Sequence, residues 1–186
     1  MNTALLVLRL VPGILLIGHG LQKLLPAKHS PPLLHAGGAK ATANGFDQLG
    51  IRPGLAATLL SGTAEMLGGF SLAAGLLTPV GTILIGADMT TAILTVHARH
   101  GIWNAEGGFE FPLVLMVVVF VIMALGAGSY SVNAWAHVNN WAGIHNSEVS
   151  DAGISLAVGV VGGFLTVIAS RLAGSTRANA SIPTTG

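Results

Sequence analysis

Five stretches of this chain are apolar over lengths that suit a membrane span, and the polar positions inside them recur at helical spacing. They cover residues 4–25, 55–77, 80–97, 109–126 and 154–172. At 1.5 Å per residue the first reaches about 33 Å, against a hydrocarbon core of about 30 Å. Arg52-Pro53-Gly54 opens the second run. Thr78-Pro79 forces a tight turn into the third, because the residue before a proline leaves the helical region. Gly126-Ala127-Gly128 closes the fourth. The pattern predicts an all-α fold: a polytopic transmembrane four-helix bundle with a fifth, C-terminal transmembrane helix added. The first run has no basic leader and no small-x-small cleavage site, so it reads as a retained span.

Placing residues at 100° intervals gives each span a face. In the first, Arg9, Gly13, Leu16, Gly20 and Lys23 form one stripe with His19 on its flank. In the second, Thr58, Ser61, Glu65, Gly69 and Leu72 align. In the third, Asp88, Thr91, Thr95 and Arg99 do so. Small and hydroxyl residues beside a charge are what helix contacts in lipid select. In the fourth span Glu110 sits at the mouth, continued by Val114 and Val117. The fifth has no ionisable residue in its core, and Gly159 with Gly163 predicts a close-packed peripheral helix.

Composition narrows the compartment. Charged residues make up 8% of the 186-residue chain, against about 25% in a soluble domain. The hydrophobic fraction is 52% and the mean hydropathy +0.73, so the lipid bilayer is the expected solvent. A net charge of +1 without a basic run argues against nucleic acid. The absence of cysteine excludes disulfides, thiolate metal sites and a dithiol relay within the chain. With five spans, Lys23, Lys28, Lys40, Arg52, Arg99, Arg171 and Arg177 fall on one side, and only Arg9 does not. The positive-inside rule then puts the N-terminus outside and the C-terminus in the cytoplasm of a plasma (inner) membrane protein. Trp135 and Trp141 suit an interfacial belt. The cytoplasmic loop 26–50 is too long for a simple turn.

An ionisable group at membrane depth is costly unless paired or facing a polar cavity, and it marks a functional site by default. Arg9, Glu65 and Asp88 form the first candidate set, with the catalytic role. A guanidinium and two carboxylates there would bind a carbonyl and move protons. The competing reading is a structural ion-pair network fixing helix register. One cation beside two carboxylates also predicts that one carboxylate holds a proton. The second set, His19, Lys23, His97 and Glu110, gathers toward the cytoplasmic end and is assigned to cofactor binding. His97 and His100, three residues apart at a helix end, suit water or lipid head groups better than a metal, and neither metal nor haem is assigned. His29, His35, His137 and His145 receive no role.

Several of these pieces together resemble the DoxX family of small integral membrane proteins. They are Arg9; Gly18-His19-Gly20-Leu21-Gln22-Lys23-Leu24; Phe46 with Leu49-Gly50-Ile51; Glu65 with Gly68-Gly69; Gly75-Leu76-Leu77-Thr78; His97; Gly108-Phe109-Glu110-Phe111-Pro112-Leu113; and Gly126-Ala127-Gly128-Ser129-Tyr130-Ser131. The resemblance covers roughly residues 5–132. It implies a four-helix bundle and association with membrane redox systems, quinol-oxidase and thiosulfate:quinone oxidoreductase assemblies among them. The chain departs from the pattern in its enlarged first loop and its fifth span, which divides it into a bundle, 1–132, and an appended region, 133–186. The leading expectation is an accessory or small subunit of a quinone-linked oxidoreductase, partnered by other subunits of a membrane redox complex, with quinone as the expected cofactor. A membrane anchor or assembly protein for a partner enzyme is the alternative, and a small transporter ranks last. The glycine faces of the second and fifth spans further predict homo-oligomers.

Overall fold

In the computed structural model, residues 2–138, 140–141, 143–145 and 147–180 are described. The side chains of Trp141 and Arg177, counted above toward the interfacial belt and the charge bias, lie outside the described residues. Helix α1 (Asn2–Leu24) buries Leu5, Arg9, Gly13, Leu16 and Gly20, the last four as expected, whereas Lys23 at the end of the expected stripe is half-buried. That stripe lies against α3 (Gly54–Ala74), with the two backbones almost touching. A Cβ on Gly13 would stand 2.7 Å from the Gly69 carbonyl oxygen, and one on Gly69 would stand 2.6 Å from that of Gly13. Gly20 meets Gly62 in the same way. The two helices are therefore antiparallel and locked at a glycine seam, as small residues allow in lipid.

Helix α3 ends at Gly75, whose left-handed backbone (φ 63°) closes the final turn. Helix α4 (Thr78–Ala92) starts at once and runs on through a π-helical turn, Ile93–His97, and a 3-10 turn, Ala98–His100. Helix α5 is Glu110–Leu125. Its buried face is Pro112, Leu115, Val119, Ile122 and Met123, whereas Val114 and Val117 are exposed. The expected continuation of Glu110 along Val114 and Val117 is thus on the wrong face. In an almost wholly apolar helix, hydropathy carries no signal of which side turns inward. Leu16, Leu72, Ile85, Met89, Leu115, Val119 and Ile122 form the core enclosed by α1, α3, α4 and α5.

The loop after α1 is ordered around α2 (Gly38–Gln48), which packs across α3. Its Asp47 accepts a hydrogen bond from Gly54 N at 2.9 Å, placing a carboxylate at the start of α3. Beyond α5, the short α6 (Val132–Trp135) and a hairpin of β1 (Asn140–Trp141) and β2 (Ile144–His145) lead into α7 (Val149–Ala180). Helix α7 lies on α4 and α5. A Cβ on Gly159 would stand 2.6 Å from Ile83 O, and one on Gly163 would stand 2.6 Å from Ala87 O. The outer side of α7 exposes Val158, Val161, Leu165 and Ile168, so it is a close-packed peripheral helix. Both glycine faces that predicted self-association are occupied within the chain.

Asn2–Leu24, Thr78–His100 and Val149–Gly174 are long and apolar enough to cross a bilayer, and Glu110–Leu125 is apolar but shorter. In α3, glycine, serine, threonine and Glu65 dilute an otherwise apolar sequence.

Candidate functional site

The expected Arg9–Glu65–Asp88 set does not assemble. Fourteen residues of α1 separate Arg9 from Lys23, about 21 Å of helix rise, and the two cations occupy opposite ends of the bundle. Arg9 is buried and donates to Ala73 O at 2.7 Å and to Tyr130 O. Glu65 is eight residues, roughly 12 Å, along α3 from that carbonyl. All three charges are buried, but Arg9 is not paired with the two carboxylates. Stripes on separate helices fix a face, whereas depth depends on where each helix is anchored.

Lys23 is the cation that meets the carboxylates. Its Nζ lies 2.8 Å from Glu65 Oε2 and donates to Ser61 Oγ at 2.7 Å. Ser61 Oγ in turn donates to Asp88 Oδ1 at 2.5 Å. The chain of contacts thus runs from α1 through α3 to α4. Glu65 and Asp88 are 5% and 8% exposed, and Lys23 reaches them from a half-buried position. The local sequence places all four. Ser61 and Glu65 are one helical turn apart on the inner face of α3, and Lys23 is one turn beyond His19 on α1.

These groups line a cavity of about 350 Å³ whose other walls include His19, Phe46, Met89, His97, Phe111 and Leu115. The volume lies in the range of small-ligand sites, about 300–1,000 Å³. A second cavity of about 270 Å³ shares Phe46, Ser61, Asp88 and Thr91 and is otherwise mostly apolar, with Leu60, Leu67 and Leu84 in its wall. Leu60 and Leu67 are exposed on the outside of α3, so this cavity faces the lipid side of the bundle. Asp88 and Ser61 therefore form a polar partition between a mixed chamber and an apolar one.

The remaining candidates divide. His19 and His97 line the chamber. The π-helical turn carries His97, and such turns recur at functional sites. His97 Nδ1 donates to Gly107 O at 2.7 Å and His100 Nδ1 to Val96 O at 3.0 Å, so neighbouring carbonyls engage both rings. Glu110 stands apart: its Oε2 accepts from Asn104 N at 3.0 Å, tying down the loop before α5. Thr91 and Thr95 donate to the carbonyls of Ala87 and Thr91 on their own helix. Sequence reasoning put Ser61 on the right face without giving it a role, and its spacing of four from Glu65 was the available signal. Phe46 and Phe111 entered only as pieces of the family resemblance, because aromatic residues near helix ends are common.

Among the described residues, one group of three has metal-ligand spacing: His145, Glu148 and Asp151, at the surface. Asp151 Oδ2 also accepts from His145 N at 2.7 Å, which fastens the turn into α7.

A family model named DoxX matches residues 4–98, just over half the chain and short of the 5–132 expected from the motifs. No curated protein and no solved structure matches.

Proposed function

The chain belongs to the DoxX family of membrane proteins, and we propose that it is an accessory or small subunit of a quinone-linked membrane oxidoreductase, with the Lys23–Ser61–Glu65–Asp88 chamber as its ligand site. The observation that carries this reading is the partition. Proton-exchanging side chains with a cation stand between a polar-rimmed chamber and an apolar, lipid-side cavity. That is the environment a polar head on an apolar tail requires.

The residues present fit such a group. Lys23 has three N–H donors; Ser61 and Glu65 engage two, which leaves one for a carbonyl oxygen. Phe46 and Phe111 give the chamber flat apolar walls. A bound quinone would supply two-electron, two-proton chemistry. The chain's own part is to hold a proton on the Glu65–Asp88 pair and pass it along Ser61 Oγ. With Lys23 at +1 and two carboxylates at −1 each, the cluster sums to −1, and one retained proton makes it neutral. Arg9 takes no part in that balance. The Lys/Arg bias supports an inner-membrane protein with the N-terminus outside and the Lys23 end toward the cytoplasm.

Infrared difference spectroscopy across a pH titration tests the proton, and organic extraction of gently purified protein tests the ligand. One protonated carboxyl band at neutral pH, removed by Glu65→Gln or Asp88→Asn, is expected together with a near-stoichiometric quinone. Both carboxylates ionised, no extractable quinone and unimpaired electron transfer in Glu65→Gln would sink the proposal. An anchor role would then stand, with the closed Lys23–Ser61–Asp88 chain acting as a helix clamp.

A further inference from the structure

At the far end of the bundle the guanidinium of Arg9 has no anion. The residue is 1% exposed, and among the described residues no carboxylate pairs with it. Its hydrogen bonds go to the Ala73 and Tyr130 carbonyls, and Nε has no partner. A guanidinium has five N–H donors and stays charged in proteins, so these bonds leave donors unspent. The C-terminus of α3, where Ala73 lies, supplies roughly half an elementary negative charge. A net positive charge remains in a position where uncompensated charge is costly.

Beside it opens a cavity of about 480 Å³, lined by Leu6, Ala74, Ser129, Tyr130, Ser131 and Trp135 together with Arg9 itself. The lining offers hydroxyls and an indole N–H, and no acidic side chain. Tyr130 and Trp135 are 62% and 83% exposed, and such aromatics with a polar tip settle at the membrane–water interface. We infer that this cavity is a binding site for a phosphate-type oxyanion, whose oxygens would accept from the N–H donors that Arg9 has left over. Two sources present that chemistry at an interface: the phosphodiester of a phospholipid and free inorganic phosphate. The site is separate from the Lys23 chamber and does not depend on the proposed redox role.

Native mass spectrometry of the full chain in detergent tests it, with phosphatidylglycerol, diacylglycerol of the same acyl chains and inorganic phosphate as probes. Phosphatidylglycerol should be retained about tenfold more strongly than diacylglycerol, the margin of one charge-assisted hydrogen bond. Arg9→Gln should erase that margin. Because this variant also strips the Ala73 and Tyr130 carbonyls of their donor, Ser129→Asp provides the second arm: it keeps those bonds and puts a carboxylate into the cavity. It should erase the margin in a folded protein. Displacement of the lipid by inorganic phosphate identifies a free-anion site, and failure to displace it identifies the lipid phosphodiester. Equal retention of the two lipids with no phosphate bound, or a folded Ser129→Asp protein that binds like the parent, would overturn the inference.

Discussion

The two cations on the inner side of α1, buried Arg9 and half-buried Lys23, are held by different kinds of partner. Lys23 is held by side chains, Ser61 and Glu65, that lead on to Asp88. Arg9 is held by main-chain carbonyls at the end of α3 and before α6. Carbonyl oxygens are fixed dipoles that neither gain nor lose a proton near neutral pH, so the Arg9 end is electrostatically constant. The carboxylates around Lys23 are ionisable groups. One end of the bundle is therefore held by fixed dipoles, and the other by ionisable side chains.

The largest effect that tests this contrast is expected from Lys23→Met. Removing one partner of a buried ion pair leaves the other uncompensated and costs about 3 kcal/mol, toward the low end of such losses because Lys23 is partly exposed. Acidification should restore part of that loss, since protonation neutralises the stranded carboxylates. Thermal unfolding in detergent across pH checks it, and a loss independent of pH would erase the distinction between the two ends. Next is Arg9→Lys. An ammonium keeps the charge but not the fork that reaches two carbonyls, so about 1–2 kcal/mol should be lost equally at every pH. A pH-dependent loss there would reveal an ionisable partner that the geometry does not show. The smallest is Ser61→Ala, at about 1 kcal/mol for the bridging hydroxyl. Its signature is spectroscopic: the protonated carboxyl band should shift in frequency, because Asp88 loses its hydroxyl donor.

Much of the fold was legible because period and punctuation agree. The stripe through Arg9, Gly13, Leu16 and Gly20 is the buried face of α1, and Thr78-Pro79 does start a new helix. The inward side of α5 was not legible: Leu115 and Val114 are equally apolar, and only packing tells them apart. The site was half legible. Glu65 and Asp88 are brought to one chamber, but the choice of Arg9 over Lys23 as their partner rested on assumed depth. Lys23 was assigned to the cytoplasmic boundary because it ends the apolar run. Its long side chain instead reaches back to Glu65, and linear hydropathy does not record such a reach.

The glycine contacts carry a mechanical consequence. Between α1 and α3, and between α4 and α7, a glycine stands against the partner's backbone atoms; between α3 and α4, Gly68 and Gly81 instead meet the side chains of Ile85 and Ser71. A backbone-to-backbone fit has no rotamers to rearrange, whereas a side-chain fit does. The molecule is thus two stiff pairs joined along a compliant line, and the Ser61–Asp88 bond crosses that line. Any rocking of one pair against the other would stretch the Ser61–Asp88 bond.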